Sequence, residues 1–99
     1  MTVAKLTYDG AYKIKLDGHA KGSEKVCTAI SSLCFALLGY LKNAKEVETK
    51  KSDYQSGKVD IEFVGGASAE AVFKMFCIGL LQIEKKYPKF IEVTVDIKS

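Results

Sequence analysis

The most apolar stretch of this 99-residue chain, residues 26–41, restricts its fold more than any other feature. One row of its apolar side chains recurs at helical spacing: Val26, Ile30, Leu33, Leu37 and Leu41. A second row beside the first contains Cys27, Ile30, Cys34, Leu38 and Leu41. A helix that is apolar around so much of its girth has to pack on more than one side. Because the stretch is shorter than the ~18–20 residues of a membrane span, it indicates a buried helix and no membrane partner.

Local signals set the limits of two helices. Ser23 is a suitable N-cap, and Glu24 places negative charge in the first turn, where the helix dipole favours it. The first helix is therefore predicted over about residues 24–42. A second helix is predicted from residues 67–68 to about residue 86, where Pro88 ends it. Its expected buried stripe consists of Val72, Phe73, Phe76, Leu80 and Ile83.

Segments in which apolar and polar residues alternate predict five strands around these helices. Residues 3–8 and 11–16 alternate on either side of Asp9-Gly10, a strong hairpin signal. Residues 45–51 and 58–64 alternate on either side of a turn predicted at residues 53–57. A last strand is predicted over residues 90–97.

The order of these elements, ββαββαβ, defines the expected fold class. It is an α+β fold with a single-layer, mostly antiparallel sheet and two long helices on one or both faces. Hydrophobic residues make up 47% of the chain and charged residues 27%, which is typical of a globular protein. With 99 residues, the chain is predicted to form one domain over residues 1–99.

The charged residues and the cysteines indicate which binding partners and which cellular compartment to expect. All 15 basic residues are lysines spread among 12 acids, and no arginine is present to read phosphates or guanine edges. An RNA-binding or ribosome-surface domain is thus a disfavoured alternative, since a pair of aromatic residues on the sheet is also missing. Three cysteines cannot pair evenly, and no signal peptide is apparent, so we expect a reducing, cytoplasmic location.

Cys27 and His19 are the residues best placed for chemistry. Cys27 lies near the predicted helix start, where the dipole and free N–H groups stabilise a thiolate. His19 ends the preceding strand eight positions earlier, across a loop that contains glycine. A thiol beside an imidazole is sufficient for nucleophilic catalysis, although a surface histidine and a buried cysteine remain the plainer interpretation.

The other two cysteines are predicted to be core residues. Cys34 and Cys77 lie mid-helix on apolar stripes. Cys34 is about 10 Å of helix rise from Cys27, which is too far for a disulfide. One histidine and three dispersed cysteines make a poor zinc set, so we expect no metal and no cofactor.

Two short motifs follow one another in the sequence: Gly18-His19-Ala20, with Gly22 in the loop after it, and VCTAISSL over residues 26–33. They resemble the GHA motif and the V-C-x-A-x-S-x-L helix start that form the signature of the ribosomal-processing cysteine protease family called Prp. The likeness covers nearly the whole chain, including Tyr87-Pro88 before the last strand.

The resemblance assigns roles to individual residues. It implies that His19 is the catalytic base and Cys27 the nucleophile, with Gly18 and Gly22 as supporting residues. Ser31 would support the site by hydrogen bonding, or would bond to the carbonyl four residues before it. Glu24 replaces the aspartate usual in the family and would orient the loop, or would be only a partner of the helix dipole.

The implied function is the removal of an N-terminal extension from a large-subunit ribosomal protein by a homodimeric endopeptidase. The segment between His19 and Cys27 is shorter than in most relatives, and Lys25 replaces a residue that is usually apolar. These departures leave the identity of the substrate open. They also leave the alternative of a non-catalytic, dimeric binding or assembly module that keeps the fold.

Overall fold

Five strands and two helices occur in the predicted order in the computed structural model, which describes residues 1–98. The strands are β1 (Thr2–Tyr8), β2 (Tyr12–Asp17), β3 (Val47–Gln55), β4 (Lys58–Gly65) and β5 (Ile91–Ile97). The helices are α1 (Glu24–Asn43) and α2 (Ala67–Lys86). The strands form one sheet in the order β3-β4-β2-β1-β5, in which only β1 and β5 pair in parallel. This arrangement confirms the predicted α+β fold class.

Both helices pack on the same face of the sheet. Alternate residues of β2 are buried under them, while Lys13 and Lys15 between these residues are exposed. In β4, Val59, Ile61 and Phe63 are buried as predicted. The sequence pattern left open whether one or both faces are covered, and the structure shows that one face remains open to solvent.

Helix α1 begins where the capping signals predict. The Ser23 hydroxyl accepts a hydrogen bond from the Val26 N–H at 3.3 Å, and Glu24 follows in the first turn. The side chains buried against the sheet are Val26, Ile30, Cys34, Leu37 and Leu41. The helix is long and apolar enough to cross a membrane, a property that it shares with core helices of soluble proteins. Its outward side includes Phe35, whose side chain is 59% exposed.

Helix α2 contacts α1 closely at a glycine. A Cβ atom built on Gly79 would lie 2.8 Å from Leu33 Cδ1 and 3.1 Å from Leu33 Cδ2. Real Cβ atoms are essentially never found at the shorter distance, so the leucine occupies the space that a side chain would need. Gly39 in α1 offers a contrast, because a Cβ atom there would have no neighbour within 4 Å.

Strand β3 is longer than predicted and ends at a different turn. The prediction placed the strand over residues 45–51 and the turn over residues 53–57, but β3 continues to Gln55 and the turn is Ser56-Gly57. A bulge between Thr49 and Lys51 shifts the register, which interrupts the period of two on which the prediction depends. Tyr54 then pairs with Val59 and is half-buried on the helix side.

The two edges of the sheet differ in how their backbone groups are covered. On β5, the outward N–H of Val93 donates to a carboxylate oxygen of Glu84 in α2 at 2.7 Å. On β3, no side chain within residues 1–98 hydrogen-bonds to the backbone. The β3 edge is therefore the one more open to another extended chain.

Candidate active site

The candidate site is a cleft of about 300 Å³ between the end of β2, the first turns of α1 and the β3–β4 turn. His19 and Cys27, which the sequence singled out, both line this cleft. They also line a more open depression along the loop that joins β2 to α1. The fold therefore brings the only histidine of the chain and its one partly exposed cysteine to the same concave surface.

The Gly18-His19-Ala20 segment is fixed from two sides. The Gly18 N–H donates to the carbonyl of Gly57 at 2.9 Å, and the Gly18 carbonyl accepts from the Thr2 hydroxyl at 3.3 Å. Gly18 has a φ of +90°, and a Cβ atom there would overlap the Met1 carbonyl oxygen. Both the backbone angle and the close approach of the Met1 carbonyl require glycine at this position.

Cys27 lies one turn into α1 and is half-buried. Its N–H donates to the Ser23 carbonyl at 3.2 Å, and its thiol donates to the Ala20 carbonyl at 3.6 Å. Ala20 is only 2% exposed, and its carbonyl also accepts from the Ser23 N–H at 3.1 Å. Within residues 1–98, no hydrogen bond joins Cys27 to His19. The structure thus shows the Cys27 sulfur against the backbone of the loop that precedes α1.

The other two cysteines are core residues, as predicted. Cys34 is fully buried beneath the cleft and Cys77 is 6% exposed. Burial raises the pKa of each thiol to about 11. Within the described residues, no group of three or more His, Cys, Asp or Glu side chains is placed to hold a metal ion.

Ser31 has a partner that the sequence analysis did not identify. Its hydroxyl accepts a hydrogen bond from the Tyr54 hydroxyl at 3.2 Å. The Tyr54 ring also packs against Phe35, with ring centroids 5.1 Å apart. The expected alternative, a bond to the carbonyl four residues earlier, is made by the neighbouring Ser32 to Thr28 at 2.8 Å. No signal pointed to Tyr54, since the sequence placed it in a turn.

Gly22 and Glu24 lie at the open depression. Gly22 has a φ of +90°, and a Cβ atom there would lie 3.6 Å from Phe90 Cε1, so the loop passes over the start of β5. Glu24 is exposed, and its carboxylate makes no hydrogen bond or ion pair within residues 1–98. The structure brings both residues to the rim of the site but gives the Glu24 carboxylate no fixed contact.

The sequence and the fold of this chain are both similar to those of known proteins. The family described as cysteine protease Prp matches residues 1–92. The chain is similar to the ribosomal processing protease Prp of Staphylococcus aureus, crystallised with a covalently linked product peptide, at 21% identity and a TM-score of 0.83. That match covers 96% of this chain and 99% of the other.

A second structure of the Staphylococcus aureus protease, with a substrate peptide, gives 20% identity and a TM-score of 0.81 over 96% of this chain and 99% of that one. A protein from Streptococcus mutans gives 20% identity and a TM-score of 0.77 over 99% and 96%. The search of curated proteins finds no match. Since the family match covers nearly the whole chain and the solved structures share its fold, the chain belongs to the cysteine protease Prp family.

Proposed function

We propose that this Prp-family cysteine protease uses Cys27 as nucleophile and His19 as base to remove an N-terminal extension from a large-subunit ribosomal protein. The observation that supports the proposal is that both residues line one cleft, Cys27 from the first turn of α1 and His19 from the loop that precedes this helix. The cleft is formed by residues within the span that matches the family. The Staphylococcus aureus relative, a ribosomal processing protease, was crystallised with a substrate peptide and supports the choice of substrate class.

The proposed reaction is an acyl transfer. His19 takes the proton of the Cys27 thiol, and the sulfur attacks the scissile carbonyl carbon. The protonated imidazole then donates this proton to the leaving amine as the C–N bond breaks. Water, deprotonated by His19, hydrolyses the resulting thioester and regenerates the thiol. Deprotonation also ends the 3.6 Å bond to the Ala20 carbonyl, because a thiolate has no proton to donate.

The helix start supplies the donors proposed for the oxyanion. The Val26 and Cys27 N–H groups already donate to the Ser23 side chain and the Ser23 carbonyl. The first N–H groups of a helix have no intrahelical acceptor, which leaves those of Glu24 and Lys25 for the substrate. The supporting roles proposed for the remaining family-motif residues are local: Ser31 anchors Tyr54, and Gly18 and Gly22 give the loop its turns.

An extended substrate is proposed to pair with the β3 edge. Three residues at the end of β3 and in its turn, Tyr54, Gln55 and Ser56, line the cleft. The opposite edge, β5, is partly closed by the bond between Glu84 and the Val93 N–H. A peptide on β3 would form main-chain hydrogen bonds that lead its scissile bond toward Cys27.

We also propose a cytoplasmic homodimer without nucleic-acid or membrane partners. Large apolar side chains are exposed on both helices, and Phe35, Met75 and Ile78 are each more than half exposed. A second copy is the occupant that the family resemblance favours for such surfaces. Sedimentation equilibrium at micromolar concentration would give twice the mass of one 10.8 kDa chain. A single-chain mass throughout would contradict this part of the proposal.

The decisive experiment combines a substrate with matched variants. The N-terminally extended ribosomal protein of the same organism is incubated with the enzyme, and the product is identified by its mass. We expect Cys27→Ala, Cys27→Ser and His19→Ala to abolish cleavage, because paired catalytic groups act as a unit. Ser32→Ala, an exposed change on the same helix, is the control and keeps full activity. Undiminished cleavage by Cys27→Ala would rule out the mechanism.

The alternative is a dimeric binding module without catalysis. It is favoured by one observation, namely that the Cys27 thiol bonds to Ala20 and not to His19. In that case the extended ribosomal protein would bind to the wild-type chain and to Cys27→Ala with the same affinity, and neither would cleave it.

A further inference from the structure

The β3–β4 turn lies directly against the His19 imidazole. A Cβ atom built on Gly57 would overlap Nε2 of His19 and would lie 2.9 Å from Cε1 and 3.1 Å from Cδ2. These three atoms form the outer edge of the ring. The bare backbone of Gly57 is therefore the surface on which this edge rests.

The same glycine also holds the backbone that carries His19. Its carbonyl accepts the 2.9 Å hydrogen bond from the Gly18 N–H. Gly57 thus contacts Gly18 through its carbonyl oxygen. It contacts the His19 ring through its α-carbon, which carries no side chain. Both contacts lie in the cleft that contains Cys27.

We propose that Gly57 is a positioning residue of the active site, which keeps the His19 imidazole in the cleft by leaving the ring's place free of any side chain. The inference depends on the proposed function, since it gives Gly57 a role only through His19. Gly57 has no side chain that could contact the substrate or exchange a proton, so it acts only through the position of His19. A methyl group at this position would occupy the space of the ring edge and would force the imidazole to rotate away from Gly57.

The displacement is expected to cost activity more than stability. His19 is exposed, so its side chain can rotate away without disturbing the core. The backbone angle of Gly57, a φ of +79°, strains any substituted residue, but Gly10 in the β1–β2 turn has the same φ and no atom within 4 Å of a built Cβ. Gly10→Ala therefore reproduces the backbone strain of Gly57→Ala without the contact to His19.

The single histidine of the chain allows a direct spectroscopic test. A ¹H–¹³C NMR spectrum contains one imidazole, and its ring protons should show nuclear Overhauser effects to the Gly57 α-protons in the wild-type protein. We expect Gly57→Ala to move the imidazole resonances and Gly10→Ala to leave them unchanged. A folded wild-type protein without these effects would overturn the proposal, even if Gly57→Ala did not fold.

A mutant cycle connects this position to reactivity. Cys27 alkylation by iodoacetamide near neutral pH is measured for the wild type, Gly57→Ala, Gly10→Ala, His19→Ala and the Gly57→Ala/His19→Ala double variant. We expect Gly57→Ala to slow alkylation about tenfold or more, which is a part of the ~10²–10⁴-fold that a general base contributes, and to add nothing when His19 is absent. Equal rates for Gly57→Ala and Gly10→Ala would overturn the inference. A His19→Ala rate equal to that of the wild type would instead refute the base role in the proposed function.

Discussion

The three cysteines should react with iodoacetamide at very different rates in the folded protein. Burial raises the pKa of Cys34 and Cys77 to about 11, so about 10⁻⁴ of each is thiolate at pH 7. A free cysteine with a pKa of about 8.5 is about 3% thiolate at that pH, a difference of about 300-fold. The higher pKa makes each thiolate about tenfold more nucleophilic, which reduces the advantage to about 20–30-fold. Because both buried thiols are also shielded from the reagent, Cys27 should be alkylated at least about 20-fold faster than either.

Peptide mapping by mass spectrometry after timed labelling measures the three rates separately. The control is the same reaction in concentrated guanidinium chloride, where the fold is lost and the three rates should converge. Labelling of Cys34 or Cys77 in the native protein at a rate similar to that of Cys27 would refute the burial argument. It would mean that α1 or α2 opens to solvent on the timescale of the reaction.

Three further predictions concern the free energy of unfolding, which is measured by urea denaturation. Gly39→Ala should stabilise the protein by about 1 kcal/mol, since alanine is the better helix former and the site is open. Gly79→Ala should be at least about 1 kcal/mol less stable than Gly39→Ala, because the new methyl group meets Leu33; equal stabilities would contradict this packing. Tyr54→Phe should cost about 0.5–1.5 kcal/mol through the lost hydrogen bond to Ser31, and Ser31→Ala should add little to it. Fully additive losses would show that the two hydroxyls do not interact.

Most of the fold follows from local sequence signals. The Asp9-Gly10 turn, the Ser23 cap and the alternation of Val59, Ile61 and Phe63 each act over a few residues, and the structure confirms them. The end of β3 could not be predicted in this way, because the bulge between Thr49 and Lys51 is a property of the paired strands. Both helices cover the same face of the sheet. This arrangement depends on how the helices pack against each other and cannot be read from a local sequence pattern.

The residues of the candidate site were also predictable only in part from local sequence signals. His19 and Cys27 were identified from helix-start chemistry and the family motif, and the fold brings them to one cleft. Tyr54 and Gly57 were missed because they reach the site through β3 and its turn, far from the motif in sequence. Pairing between distant segments decides which side chains meet, and the spacing of residues within one segment does not reveal it.

The parallel pairing of β1 with β5 has a consequence for the way in which the chain acquires its active structure. β1 and β5 are separated in the chain by all the other elements, yet they pair directly, from Thr2 opposite Ile91 to Tyr8 opposite Ile97. The Thr2 N–H bonds to the Phe90 carbonyl, and the Thr2 hydroxyl bonds to the Gly18 carbonyl beside His19. The segment that carries His19 is therefore linked through Thr2 to the pairing of β1 with β5. Contacts across some 90 residues close slowly, so we expect this segment to reach its final geometry late in folding.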